Sequence, residues 1–171
     1  MKPNIKKVFF GFVIAFALLY VFLAINKIAS PGVHYDELLF VNAALGEDKV
    51  DQSFIRQEIA GIPVLLMPYI GALKSYIYYP VFKLFGVSVL TIRLPVILIT
   101  FFSVILLSGF LNKAFNKEVA LIVIILLAID PSFIYLTRLD VGPNALEFFL
   151  KCASLFVFYY YSYFFSFFIF I

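Results

Sequence analysis

The stretch VFFGFVIAFALLYVFLAINKI, residues 8–28, decides the fold class. Roughly 20 apolar residues in succession carry one helix across the hydrocarbon core of a bilayer, and Lys2, Lys6 and Lys7 stand just before the run. Basic residues flanking a first span stay on the cytoplasmic side, which predicts an amino terminus inside and residue 29 onward outside. The run is long for a signal peptide, and no small-x-small cleavage site ends it, so it reads as an uncleaved anchor.

Composition extends this reading to the whole chain. Of 171 residues, 64% are hydrophobic and 13% charged, with a mean hydropathy of +1.07, whereas soluble domains are about half apolar. The expected class is an all-α, multi-pass integral membrane protein. Its net charge of +3 comes from scattered basic residues, not from the dense patch that a nucleic-acid partner requires. The single Cys152 lies inside an apolar run, which leaves no disulfide framework and predicts a thiol that faces lipid or packs.

Three further apolar runs, residues 94–111, 119–136 and 145–171, bring the expected total to about four transmembrane helices in a single membrane domain, 1–171. Lys113 and Lys117 place loop 112–117 inside, and the polar turn 137–144 outside. Asp130-Pro131 caps or breaks the third helix, and Glu147 caps the fourth. The Phe- and Tyr-rich ending has the low complexity of a truncated frame, so the chain is expected to be the amino-terminal part of a longer one.

Residues 29–93 form a long first outside loop holding six of the ten acids. Within it, Leu38, Leu39, Val41, Ala44 and Leu45 recur at helical spacing before Gly46, predicting a short amphipathic helix over 36–45 on the membrane. Asp36 and Glu37 occupy its first turn, where the helix dipole favours anions. Residues 61–85, broken by Pro63, Pro68, Gly71, Lys74 and Pro80, make a poor span and read as interfacial helices or a re-entrant piece lining a cavity.

The candidate site is centred on Pro31-Gly32-Val33-His34-Tyr35-Asp36-Glu37, which sets two adjacent carboxylates and the only histidine beside the bilayer. Ionisable groups at such places are functional hypotheses by default. Lys74, Arg93 and Arg138 are the cations able to hold a lipid phosphate there, arginine bidentately and lysine as a point charge. The structural alternatives are a snorkelling Lys74, an Arg93 that anchors the second span and an Arg138 paired with Asp140. One histidine among carboxylates falls short of the three or four ligands of a zinc site, so no metal and no cofactor is assigned.

The order of these features, together with Phe85-Gly86-x-Ser88 leading to Arg93-Leu94-Pro95 and the turn Arg138-Leu139-Asp140, resembles the amino-terminal part of the GT-C glycosyltransferases. The branch resembled is that of protein mannosyltransferases and aminoarabinose transferases, glycosyltransferase family 39, over about residues 8–157. The resemblance implies a catalytic aspartate after the first span, a role that falls on Asp36. It implies Asp140 as an acid near the active site; Glu37, beside Asp36, either orients the acceptor or sits in solvent. His34, Lys74, Arg93 and Arg138 are then the substrate-binding candidates.

The implied partners are a polyprenyl-phosphate-linked sugar, a protein, lipid or glycan acceptor, and membrane lipids. The implied reaction is an inverting transfer at the outer face of a bacterial inner or plasma membrane, needing chiefly a base for the acceptor hydroxyl. Full members of the family carry many more spans. The alternative class is a small non-enzymatic multispanning protein, a transporter or assembly subunit. Transport pathways place ionisable residues near mid-span, whereas here the acids gather on one side, which favours surface chemistry.

Overall fold

The computed structural model describes residues 5–45, 56–66, 70–139 and 141–169. The described chain is mostly helical. It runs α1 (Ile5–Ile25), α2 (Tyr35–Leu45), strands β1 (Arg56–Ile59), β2 (Ile62–Leu66) and β3 (Ile70–Gly71), then α3 (Leu73–Phe85), α4 (Val89–Ala114), α5 (Lys117–Ile129), α6 (Pro131–Leu139) and α7 (Asn144–Ile169).

Two helices, Lys7–Ile25 and Val89–Ala114, are long and apolar enough to cross a membrane. A third crossing exists if α5 and α6 count as one span bent by 66°. The bend falls at the expected break: Asp130 accepts the Ser132 backbone N–H at 2.9 Å, and Pro131 opens α6 as a first helical residue that needs no N–H partner. The fourth expected span is a single helix, α7, but it is not among the crossings that the described residues establish.

The helices pack along narrow seams. Val13, Ala17, Tyr20 and Ala24 form the buried stripe of α1, and Ala120, Ile124 and Ala128 that of α5. Small residues at such positions let helix backbones approach where lipid offers no hydrophobic drive. Buried hydroxyls in α4 return to their own helix: Thr100 donates to the Val96 carbonyl at 2.9 Å and Ser103 to that of Ile99 at 2.7 Å. A polar tie, Tyr20 Oη to Thr137 Oγ1 at 2.9 Å, joins α1 to α6.

One sequence expectation is corrected. Of the described residues within 61–85, read as interfacial helices or a re-entrant piece, only 73–85 are helical: β1, β2 and β3 form an antiparallel sheet before them, and the helix begins at Leu73. The two-residue turn Ala60-Gly61 has φ of 52° and 77°, the doubly positive geometry whose twist matches paired strands. Pro63, which has no N–H to donate, enters the ladder opposite Glu58 just where the register shifts between Gln57 and Glu58. The short helix α2 does form, and it buries Phe40, Val41, Ala43 and Ala44 in a cluster with Ala72, Tyr78 and Phe82 around α3. Cys152 is packed.

Candidate active site

The start of α4 fixes everything around it. Gly86 turns the chain at φ 72°, and Ser88 then caps the helix reciprocally with Thr91: Ser88 Oγ accepts from Thr91 N at 3.2 Å, and Thr91 Oγ1 accepts from Ser88 N at 2.8 Å. This capping box sets the helical phase. Arg93, one turn in, thereby faces the interior and is 0% exposed.

Arg93 meets Glu37, itself 2% exposed, through a two-pronged contact: Nε donates to Oε1 at 2.7 Å and Nη2 to Oε2 at 2.9 Å. Nη1 also donates to the carbonyls of Ile28 and, at 3.1 Å, Pro31, while Nη2 donates to that of Gly32 at 3.0 Å. The guanidinium's five N–H groups are thus all taken by protein acceptors. The His34 backbone N–H adds a bond to Glu37 Oε2 at 2.7 Å. A buried ion pair stands only where its remaining lone pairs and protons find partners, and here they do. The pair therefore holds the connection between α1 and α2 against α4.

Asp36 stands beside Glu37 but in a different environment. It is half-buried, and its carboxylate makes no bond to another described residue; its backbone N–H donates to His34 Nδ1 at 3.3 Å. His34 is exposed. One turn beyond Asp36, Phe40 carries the Lys74 ammonium 3.7 Å above its ring centroid. Lys74, 2% exposed, also donates to the Gly142 carbonyl at 3.0 Å, tying residues 141–143 to α3.

Asp140 lies outside the described residues. Arg138, half-buried at the end of α6, reaches the Asn26 carbonyl with Nη1 at 3.4 Å, and its Nε is buried without a partner among the described residues. Arg93 and Arg138 thus both sit on backbone carbonyls of the segment that follows α1.

The structure therefore brings His34, Asp36, Glu37, Lys74, Arg93 and Arg138 to one end of the helix bundle. Tyr78, not singled out from sequence, supports the same turn of α4 by donating to the Ile92 carbonyl at 2.8 Å. It lies four residues after Lys74 on α3, and that spacing was the available signal. Chemically, the described residues offer at this end a carboxylate without a described partner, Asp36, a guanidinium with an unbonded N–H, Arg138, and a fixed loop between them.

A family model described as dolichyl-phosphate-mannose-protein mannosyltransferase matches residues 71–164. The match takes in Lys74, Arg93 and Arg138 and leaves Asp36 upstream of it. Comparison with curated proteins and with solved structures returns no match.

Proposed function

Since the chain belongs to the dolichyl-phosphate-mannose-protein mannosyltransferase family, a group of membrane glycosyltransferases that use lipid-linked sugar donors, we propose that it transfers a sugar from a polyprenyl-phosphate donor with Asp36 as the base. One observation carries the assignment: of two adjacent carboxylates, Glu37 is consumed by Arg93 while Asp36 is left without a partner among the described residues. A base must reach the proton it takes, so a carboxylate locked to a guanidinium is the poorer candidate. Glu37, Arg93 and Lys74 are positioning residues in this reading. Arg138, whose Nε has no partner among the described residues, is the guanidinium that receives the donor phosphate, and His34 borders the acceptor.

The step is a single displacement. Asp36 takes the proton of the acceptor hydroxyl, whose oxygen bonds to the anomeric carbon as the bond from that carbon to the phosphate oxygen breaks. The phosphate departs with the bonding pair on its lipid, and the sugar carbon inverts. Arg138 balances the negative charge on the departing phosphate.

The test is transfer of labelled sugar from a polyprenyl-phosphate donor in membranes containing this chain. Asp36→Asn keeps the shape of the side chain and removes the base, with an expected loss on the order of 10²–10⁴-fold and no change in the unfolding midpoint. Undiminished transfer by Asp36→Asn would overturn the assignment.

A further inference from the structure

At the end of α4 remote from Arg93, helices α1, α4 and α7 and the start of α5 line a half-open cavity of about 460 Å³. Phe10, Leu106 and Phe156 supply its apolar walls; Asn112 and Lys117 are polar members, as is Ser108, whose hydroxyl donates to the Ile105 carbonyl at 2.7 Å. Gly109 makes room for the Phe156 wall, since a Cβ there would lie 2.6 Å from the ring. Along the axis of α4, Asn112 stands about 28 Å from Arg93 at 1.5 Å per residue. This is a second site at the opposite end of the bundle, independent of the transfer reaction.

Its charge is the informative feature. Lys117 is the first residue of α5, where the positive end of the helix dipole makes a cation unfavourable. Lys113 and, one turn before Phe10, Lys7 add exposed positive charge at the same end. Glu118 is the acid described there, and no ion pair joins a described acid to any of the three lysines. An apolar pocket with unneutralised cations at its polar end matches an anionic lipid, with acyl chain along the walls and phosphate at the rim.

We propose that this cavity binds one anionic phospholipid, its acyl chain against Phe10, Leu106 and Phe156 and its phosphate on Lys117 and Asn112. The test uses the full chain in nanodiscs of equal parts phosphatidylglycerol and phosphatidylcholine. Lipid retained after detergent extraction is counted by mass spectrometry. Wild type is expected to retain phosphatidylglycerol several-fold over phosphatidylcholine, Lys117→Gln to fall to the bulk ratio, and Lys117→Arg to keep the preference.

Leu106→Trp fills the cavity without touching a charge, so it must also release the lipid, and it decides the matter should Lys117→Gln fail to fold. Millimolar inorganic phosphate should leave the retained lipid in place. Equal retention of the two lipids by wild type, or unaltered preference in Lys117→Gln or Leu106→Trp, would overturn the proposal. Displacement by inorganic phosphate alone would show a phosphate-ion site and overturn it likewise.

Discussion

Adjacent residues on a helix point about 100° apart, and that angle separates the fates of Asp36 and Glu37. Glu37 turns inward to Arg93, where two charges buried together stand because each has further hydrogen bonds. Removing either charge alone strands the other as a buried, uncompensated charge. Glu37→Gln and Arg93→Met are each expected to destabilise by about 3–5 kcal/mol, and the double variant by less than their sum, since the two share one network. Denaturant unfolding in detergent micelles measures all three; additive losses below about 1 kcal/mol would show that the pair does not fix the fold. Arg138 differs from Arg93 in having an N–H unbonded among the described residues. Arg138→Lys keeps the charge but loses the fork, so the KM for the lipid-linked donor should rise roughly tenfold or more with kcat little altered. An unchanged KM with a fallen kcat would remove Arg138 from donor binding.

At the scale of elements, the hairpin Ile59-Ala60-Gly61-Ile62 is the part that the sequence concealed. Ala60 sits in the left-handed region at φ 52°, a conformation costing an L-residue about 1–2 kcal/mol relative to its ordinary basin. Ala60→Gly should therefore slow hydrogen exchange at the amides of the strand pair, and Ala60→Val, β-branched, should speed it; the reverse order would refute the turn assignment. Asn-Gly would have announced this turn, but Ala-Gly does not, and Pro63 interrupts the alternation expected of a strand. The spans of α1 and α4 were legible because a long apolar run needs no partner to declare itself. The helix α2 and the break at Asp130-Pro131 were legible for a related reason, since spacing and caps are local signals. The ion pair was not: Glu37 and Arg93 lie 56 positions apart. Sequence could nominate both residues for a site but could not show that they would spend their charge on each other.

For the molecule as a whole, side-chain contacts sort the helix ends into two groups. Arg93 joins the start of α4 to the segment after α1, Arg138 joins the end of α6 to Asn26, and Lys74 joins α3 to residues 141–143. The second cavity gathers Phe9 and Phe10 with Asn112 and Lys117. The two polar layers are separated by about 28 Å along α4, close to the roughly 30 Å hydrocarbon thickness of a bilayer. A bundle of this build is expected to place the two layers at opposite faces, with the lysine-bearing layer inside. In a Cys152→Ser background, a cysteine at Lys27 or Asn144 should react with an impermeant thiol reagent added to intact cells. One at Lys113 or Asn116 should react only after the membrane is opened. Labelling of all four from one side would mean that α4 does not cross. Labelling of Lys113 and Asn116 in intact cells, with Lys27 and Asn144 protected, would invert the chain and put Asp36 on the inner face. Because α5 alone is only about 20 Å long, the return from Asn116 to Asn144 must use the bent α5–α6 pair, so protection at one of these positions and reaction at the other also decides whether that pair completes a crossing.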